Sequence, residues 1–455
     1  MKIVVGGASS AGRSIVGYLS LGNNDIIVVD TDGQKLDELA KEYDIQPVLG
    51  SISYPDIQER IGMKDADMLI AVTDNDEVNL IACQVAYTLF NVPQKIARVD
   101  SQYFLNPMWN TLYNEKSLPV DLVITPDVEI GEYILHLISL AGSSSVYPFT
   151  DGKVNIFSFV NKLTDSPFSA FSVEHINSKL ADLSARIVMI IRGNNRIIGN
   201  FSETYLQKND IIYISCLAEY NMDIMHVFGV DHNPYENVVM FGANSISGYI
   251  AANLEKDDNT ISCNIVEDNA LRAEKLADIL NNSTIITGEM MSDVILDESG
   301  FNGADVSIAL TDKDKDNLLI SLLAAKNKET QAMSLVNSKD YNVLANNIRD
   351  NIIVDRSVVT ISAILRHLRK ARIDEAYALG REMGEVWEIR LGEDSSNINK
   401  TVKELNLPQT SSVFAILNDD KINYDFNNHK LTADDKLLVY VSAGDIRRIE
   451  NIFYC

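Results

Sequence analysis

The chain is 455 residues long, is 46% hydrophobic and 23% charged, and carries a formal net charge of −25. This length predicts two to four domains of roughly 100–200 residues. The acidic balance argues against a nucleic-acid partner and against simple adhesion to anionic lipid, because both need clustered lysine and arginine. It either maintains solubility or suits a basic protein partner, such as the positively charged cytoplasmic loops of a membrane protein.

The cellular compartment is predicted from the membrane-spanning, signal-peptide and disulfide patterns that the sequence lacks. No apolar run approaches the ~20 residues that span a bilayer. The first residues predict a strand and a turn, and not a signal peptide. The cysteines at positions 83, 216, 263 and 455 have no C-x-x-C spacing, which favours free buried thiols. We therefore expect a cytoplasmic protein.

The first 125 residues alternate between short apolar runs and helical patterns. Such alternation indicates parallel strands joined by crossover helices on both faces of one sheet. We predict a doubly wound, Rossmann-like α/β domain. Its strands lie at residues 3–5, 26–30, 47–50, 68–72, 95–99 and 122–124, and its helices at 14–19, 34–43, 57–62 and after residue 74.

A long apolar helix at residues 128–140 leaves this domain, and the pattern changes after a break of small residues at 141–145. The sequence Gly-Asn-Asn at 193–195 suits a hairpin turn. We predict a small α+β domain that ends near residue 230, with strands at 154–159, 186–192, 196–198 and 210–214 and a helix at 173–180.

The same order of elements then returns. Residues 70–86 (IAVTDNDEVNLIACQVA) recur in altered form 238 positions later, at residues 308–324 (IALTDKDKDNLLISLLA). Gly7 corresponds to Gly242 and Asp30 to Glu267, at offsets of 235 and 237. Nearly constant offsets predict a duplication. The predicted domains are 1–125 (Rossmann-like), 126–230 (exit helix and small domain), 231–355 (second Rossmann-like) and 356–455 (exit helix at 358–373 and second small domain).

The first turn follows the first strand and reads Gly7-Ala8-Ser9-Ser10-Ala11-Gly12. A dinucleotide-binding turn has the pattern G-x-G-x-x-G between a strand and a helix, with an acidic residue about 20 positions further on. Both outer glycines are present, Ser9 replaces the middle one, and Asp30 lies 18 residues after Gly12. The helix N-terminus would hold an anion. We predict a nucleotide site here, with Asp30 on the ribose.

The second turn departs further from the pattern. It reads Gly242-Ala243-Asn244-Ser245-Ile246-Ser247, with Glu267 in the acidic position, so only its first glycine is in register. Either it binds a second nucleotide or the unit is retained for packing alone.

Two further features lie where strands are predicted to end, at the edge that forms the cleft of such a sheet. Thr73-Asp74 and Thr311-Asp312 follow buried strands, where they either line a pocket or cap the next helix. Arg98 ends a strand at the same edge, where it either contacts a phosphate or is a solvated surface residue.

Candidates for catalysis are poor. The chain has no G-x-S-x-G elbow and no phosphate loop ending in GK[ST]. None of the six histidines has metal-ligand spacing: His136, His175, His226, His232, His367 and His429. We expect neither a catalytic residue nor a metal site.

Together these segments resemble a known family. The segments MKIVVGGASSAG, IIVVDTD, DADMLIAVTDNDEVNLIACQVAYTLFN, KIARV and DLVITP are similar to TrkA-type regulatory subunits of Trk potassium transporters. The second half agrees through VSIALTDKDKDNLLISLLAAK, VVTISAILRHLRKARIDEAYAL and LPQTSSVFAILND. The resemblance covers essentially the whole chain, and its tandem arrangement is the most specific part. It implies two RCK units, each a nucleotide-binding N-domain followed by a small C-domain.

The resemblance also implies a function. Several copies would form a cytoplasmic ring that docks on a membrane potassium-translocating subunit at the inner face of the membrane. The ring would gate that subunit in response to NAD(H) or ATP/ADP. The first site would comprise Gly7, Ala8, Ser9, Ser10, Ala11, Asp30, Thr73, Asp74 and Arg98, and the second Gly242, Ala243, Asn244, Ser245, Ile246 and Glu267.

Departures from the family pattern leave the ligand open. Ser9, Asn244 and Ser247 each replace a glycine, so a shorter ligand such as ATP or ADP competes with NAD as the expectation. Two other functions also remain. One is an NAD(P)-dependent oxidoreductase, and the other is a nucleotide-sensing scaffold for another partner.

Overall fold

The computed structural model describes most of the chain, in two compact units. The described residues are 1–22, 24–101, 104, 107–114, 117–162, 168, 170–193, 195–199, 201–230, 234–257, 261–327, 329–345, 348, 351–369, 372–380, 383–418 and 421–453. The first unit comprises Met1–Glu129, Arg356–Leu368 and Ala378–Met383. The second comprises Ile130–Asp355, Arg369–Tyr377 and Gly384–Cys455.

The first sheet is parallel and six-stranded, in the order β3-β2-β1-β4-β5-β6. The strand order reverses between β1 and β4, and in such sheets ligands bind at the carboxyl ends of the strands beside that reversal. The strands are β1 (Lys2–Gly6), β2 (Asp25–Asp30), β3 (Gln46–Leu49), β4 (Met68–Ala71), β5 (Gln94–Arg98) and β6 (Leu122–Ile124). The helices between them include α1 (Ser10–Leu19), α2 (Gly33–Glu42), α3 (Pro55–Arg60) and α4 (Asp76–Phe90).

A five-stranded antiparallel sheet follows helix α5 (Pro126–Ser139), in the order β10-β9-β11-β8-β7. Its strands are β7 (Ser145–Phe149), β8 (Val154–Val160), β9 (Ala185–Arg192), β10 (Asn195–Ile198) and β11 (Ile211–Leu217), with α6 (Val173–Leu180) and α7 (Asn221–Val227). The predicted hairpin between β9 and β10 is present, although Asn194 of its turn lies outside the described residues. Strand β7 was not predicted; it contains Pro148, and proline is tolerated in strands at a sheet edge.

The third sheet repeats the first, in the order β14-β13-β12-β15-β16-β17. Gly6 of β1 lies opposite Val29 and Ala71, and Phe241 in the corresponding strand lies opposite Val266 and Ala309. The strands are β12 (Asn237–Phe241), β13 (Ser262–Glu267), β14 (Thr284–Thr287), β15 (Val306–Ala309), β16 (Gln331–Val336) and β17 (Asn351–Asp355). The helices include α8 (Ser245–Asp257), α9 (Ala270–Ala277), α10 (Asp293–Glu298), α11 (Asp314–Ala324) and α12 (Lys339–Ala345).

The last sheet has five strands in the order β18-β19-β22-β20-β21 and follows helix α13 (Arg356–Leu368). Its strands are β18 (Ile373–Gly380), β19 (Gly384–Arg390), β20 (Ser412–Asn418), β21 (Lys421–Asn423) and β22 (Lys436–Val441), with α14 (Ile446–Phe453) near the end of the chain. The prediction that the exit helix reaches residue 373 is wrong. Ile373 begins β18, beside the Arg390 amide that donates to the Arg372 carbonyl at 2.9 Å.

Each exit helix packs on the first helix of the other copy. In the first unit, α13 packs on α1, where the Ser14 and Ser357 hydroxyls lie 2.7 Å apart. In the second unit, Gly131 of α5 lies against Tyr249 of α8, and a Cβ at Gly131 would come within 2.6 Å of that ring. The fold therefore exchanges helices between its two halves.

No helix within the described ranges is long and apolar enough to cross a membrane. Cys83, Cys216 and Cys263 are free and buried, while Cys455 lies outside those ranges.

A pH effect follows from Glu255 in the last turn of α8. Its carboxylate accepts hydrogen bonds from the amides of residues 281–283 at 2.8–3.0 Å and from the Ser283 hydroxyl at 2.7 Å. Desolvation acts to raise the pKa of this carboxyl, but the hydrogen bonds outweigh it and lower the pKa to about 2. A depressed carboxyl pKa stabilises the fold fully above the unfolded value of about 4.3, and that stabilisation is lost as the pH falls toward 2.

We therefore expect Glu255→Gln to lower the melting temperature at pH 7, with a difference from the wild type that shrinks as the pH falls below about 4.3. Melting curves of both proteins between pH 7 and pH 3 measure this. Glu274→Gln, at an exposed carboxylate, is the control and should match the wild type throughout. A difference for Glu255→Gln that is constant with pH would contradict the prediction.

Candidate functional site

The first turn needs both of its outer glycines. Gly7 has a φ of +114°, and a Cβ there would lie 2.8 Å from the amide nitrogen of Thr73. A Cβ at Gly12 would lie 1.9 Å from the carbonyl oxygen of Gly7. Real Cβ atoms do not come this close to backbone, so the strand can turn into α1 only with glycine at both positions.

Asp30, at the end of β2, holds the turn from the side. Its Oδ2 accepts the amide of Ala8 at 2.5 Å, and its Oδ1 accepts the amide of Asp32 at 2.8 Å. Each carboxylate oxygen can accept a second hydrogen bond. Because Asp30 is only half-buried, it can brace the turn and still meet a hydroxyl group.

The N-terminus of α1 is not capped by a side chain of its own N-cap residue. Ser9 is the N-cap, with extended backbone, and its side chain makes no capping hydrogen bond. The Ser9 hydroxyl oxygen is buried and has no hydrogen-bond partner among the described residues. The first amides of a helix carry partial positive charge and usually find an acceptor. The arrangement suits an anion.

One interpretation of the sequence was that Thr73 caps α4. The structure shows that it does not. The helix begins at Asp76, and Asn75 caps it by accepting the amide of Val78 at 2.7 Å. The Thr73 amide and hydroxyl instead both donate to Oδ1 of Asn79, at 2.9 and 2.7 Å. Asp74 lies between Thr73 and the cap and is exposed.

Asn79 is the residue that the sequence reasoning missed. It is fully buried, and its amide group donates to the carbonyls of Thr73 and Arg98, both at 3.0 Å. It thereby ties together the carboxyl ends of β4 and β5. The repeat holds the signal, since Thr311 and Asn317 make the same hydrogen bonds in the second copy.

Arg98 is not a solvated surface residue. Its side chain is 17% exposed, and its guanidinium pairs with Asp74 at 3.1 Å and with Asp100 at 2.5 Å. Burial acts to lower the pKa of Arg98, but Asp100, Asp74 and Asp127 outweigh it and raise the pKa. The Nε of Arg98 is buried without a partner among the described residues. A fixed positive charge thus lies at the carboxyl end of β5, on the same edge of the sheet as the first turn, which follows β1.

The second turn has the same backbone shape but different partners. Gly242 has a φ of +107°. The Oδ1 of Asn244 accepts the amides of Ile246 and Ser247 at 3.0 and 3.1 Å, and the hydroxyl of Ser247 accepts the amide of Asn244 at 3.0 Å. Ser245, between them, begins α8.

The acid of the second copy is enclosed. Glu267 is 1% exposed and accepts the amides of Ala243 at 2.7 Å and Asn269 at 2.9 Å. Burial raises the pKa of Glu267, and the two backbone hydrogen bonds partly offset the shift. Leu335, 1% exposed, stands in the place of Arg98, because Asn317 donates to its carbonyl as Asn79 does to that of Arg98.

Within the described residues, no group of three or more histidine, cysteine, aspartate or glutamate side chains could hold a metal ion. His429 is half-buried beside β22, where it hydrogen-bonds to Asp435 at 2.8 Å and to Asn423 at 3.1 Å. Burial lowers the pKa of His136. His232 lies outside the described residues.

Known domain families match most of the chain. Residues 3–126 and 238–356 match the TrkA-N domain, and residues 386–454 match the TrkA-C domain. The chain belongs to the TrkA family. A "Trk system potassium uptake protein TrkA" from Azorhizobium caulinodans is 32% identical over 100% of this chain and 98% of that protein. The resemblance stated from the sequence is therefore confirmed.

Solved structures with the same fold include one described as "GsuK channel bound to NAD". It has a TM-score of 0.62 and 15% identity, and the match covers 99% of this chain and 79% of that one. A second, "GsuK bound to ADP", has a TM-score of 0.51 and 13% identity, with 81% and 70% covered. At this identity they show the fold alone. The predicted fold class is confirmed, and membership of the TrkA family favours potassium uptake over the oxidoreductase alternative.

Proposed function

We propose that the chain is a nucleotide-responsive, non-catalytic regulatory subunit that gates a Trk-type potassium transporter from the inner face of the membrane. The observation that carries this is the first turn. Its two glycines, its braced acid and its uncapped helix N-terminus lie at the reversal in strand order, where such sheets bind ligands. Relatives named for potassium uptake supply the physiological context.

The ligand would lie across the first turn, formed by Gly7, Ala8, Ser9, Ser10 and Ala11, with its phosphates on the uncapped amides at the N-terminus of α1. Asp30 would accept ribose hydroxyls on one side. Thr73, Asp74 and Arg98 would face the other end of the ligand, where Arg98 offers a charge for a second phosphate. NAD(H) and ATP/ADP both fit this description, and the related fold has been described with NAD and with ADP.

A route from the site to helix α13 runs through Asp127. Its charge acts on Arg98, and its Oδ1 lies 2.7 Å from Nη1 of Arg356, the first residue of α13. The Ser14–Ser357 contact joins α13 to the helix that begins at the turn. A ligand can shift such an arrangement only through different affinities for its two states. We propose that nucleotide exchange moves α13 relative to α1 in this way, within a ring of several copies.

Calorimetric titration with NADH, NAD, ATP and ADP tests the nucleotide site. We expect Asp30→Ala to weaken binding at least tenfold, because it removes both the ribose acceptor and the brace on Ala8. Asp25→Ala is the matched control, because it removes an exposed carboxylate from the opposite end of the same strand. Equal affinity in the two variants would contradict the role of Asp30, and no binding to the wild type would contradict a nucleotide site.

The transport role has a separate test. Cells deprived of their own copy of this chain are expected to lose potassium uptake at low external potassium and to regain it with the wild type. Asp25→Ala should restore uptake and Asp30→Ala should not. Unchanged uptake in the deprived cells would contradict the proposal.

A further inference from the structure

The second turn has the backbone of a nucleotide-binding turn, but the chain itself supplies acceptors for its amides. The carboxamide oxygen of Asn244 accepts from Ile246 and Ser247, the two amides that an anion at this helix N-terminus would use. The Asn244 amide group is anchored in turn, donating to the carbonyl of Leu310 at 2.6 Å. Asn244 therefore takes the position of a phosphate oxygen.

The first turn has no such internal acceptor. Ser9 stands where Asn244 stands in the second copy, two residues after the opening glycine, and its hydroxyl makes no capping hydrogen bond. The acceptor oxygen of serine is Oγ, one bond closer to the backbone than the Oδ1 of asparagine. The two turns thus differ in the one side chain that decides whether the helix amides are occupied.

Two differences outside the turn also distinguish the second copy from the first. Each acid accepts two backbone amides, but Glu267 of the second copy is 1% exposed whereas Asp30 is half-buried. The positive charge of Arg98 is replaced by the buried Leu335. In the second cleft the acid is therefore enclosed, and the position that Arg98 occupies in the first cleft carries no charge.

We propose that the second turn is permanently closed by Asn244, and that the chain binds one nucleotide, in its first turn. The closure of the second turn stands on the contacts above. The count of one rests on the function proposed for the first turn. The second Rossmann-like domain then holds its ligand-bound shape without ligand, and only the first half of the chain responds to nucleotide.

Amide hydrogen exchange tests the closure directly. In the wild type without nucleotide, the amides of Ile246 and Ser247 are expected to exchange slowly. Asn244→Ser should accelerate them at least tenfold. Asn253→Ser, the same change further along α8, should leave them unaltered. Equally fast exchange in the wild type and in Asn244→Ser would overturn the closure, whether or not any nucleotide binds.

Hydrogen exchange in saturating NADH, and separately in saturating ATP, tests how many nucleotides each chain binds. The nucleotide that binds is expected to slow exchange at residues 8–12 and to leave residues 243–247 unchanged, with one equivalent bound per chain. Two equivalents, with new protection at both turns, would overturn the inference while leaving the proposed function standing. No protection at either turn would contradict the proposed function, and the Asn244→Ser comparison would still decide the closure.

Transplanting the side chain gives a converse test. Ser9→Asn places in the first turn the residue that closes the second, with the carbonyl of Val72 in the position of Leu310. We expect it to reduce nucleotide affinity at least tenfold, whereas Ser20→Asn, the same change at the opposite end of α1, should retain binding. Wild-type affinity in Ser9→Asn would show that asparagine at this position does not close a turn.

Discussion

Gly12→Ala is expected to abolish nucleotide binding at the first turn, with a loss of affinity of at least a hundredfold. The added Cβ would lie 1.9 Å from the Gly7 carbonyl oxygen and 2.8 Å from its carbonyl carbon. Neither atom belongs to a flexible side chain, so the backbone itself must shift. The start of α1 would move away from the amides that we propose hold the phosphates. Calorimetric titration with the four nucleotides measures the loss.

Gly17→Ala is the matched control for Gly12→Ala, because it lies on the same helix. Its Cβ would meet only the hydroxyl end of the Tyr43 side chain, at 2.9 Å, and that side chain can rotate away. Alanine in a helix interior is also favoured over glycine by about 0.5–1 kcal/mol. Gly17→Ala should therefore fold and bind like the wild type. Wild-type affinity in Gly12→Ala would contradict the proposed position of the phosphates.

Arg369→Met is expected to lower the free energy of unfolding of the second unit by about 3–5 kcal/mol, the usual result of breaking a buried ion pair. Glu385 is fully buried and pairs with Arg369, whose Nε donates to it at 3.1 Å. The guanidinium also lies 5.5 Å from the centroid of the Trp387 ring. Methionine would remove this ion pair, while the Trp387 Nε1 would still donate to the carboxylate. Urea unfolding curves measure the change.

Arg372→Met is the control, because that arginine makes a two-pronged ion pair with Asp394 at 2.7 and 2.8 Å while both side chains are more than half exposed. Exposed pairs contribute about 0–1 kcal/mol. Arg369→Met combined with Glu385→Leu should recover most of the lost stability, since it removes both buried charges of the pair. Equal unfolding midpoints for the two single methionine variants would show that the buried pair adds nothing.

The fold could be predicted from local sequence patterns, because the same order of apolar strands, glycine turns and helices occurs twice in the chain. The buried strands before Gly7 and Gly242, and the repeated segment beginning at Ile70 and Ile308, carry enough alternation to predict two parallel sheets. The prediction was wrong for strands that form only because a neighbouring strand pairs with them. Strand β7 contains Pro148 and exists because β8 pairs with it, and β18 begins where a helical pattern still seemed to continue.

The site shows the same division between local and distant information. Gly7, Gly12 and Asp30 were predicted from spacing alone, because a turn and an acid at fixed separation are local features. Their binding role stays a prediction. The hydrogen bonds of Asn79 and Asn244 join atoms that only the folded chain brings together, so spacing did not single out Asn79 and placed Asn244 in the second turn without its capping role.

The exchange of helices constrains how the protein is made. The first unit includes Arg356–Leu368, which leaves the ribosome more than 200 residues after Glu129. At a synthesis rate of about 5–20 residues per second, that interval lasts on the order of 10–45 s. During it, the face of α1 that α13 covers is open to solvent or to a chaperone. If a nascent chain on a neighbouring ribosome supplies the missing helix first, the product is a swapped dimer.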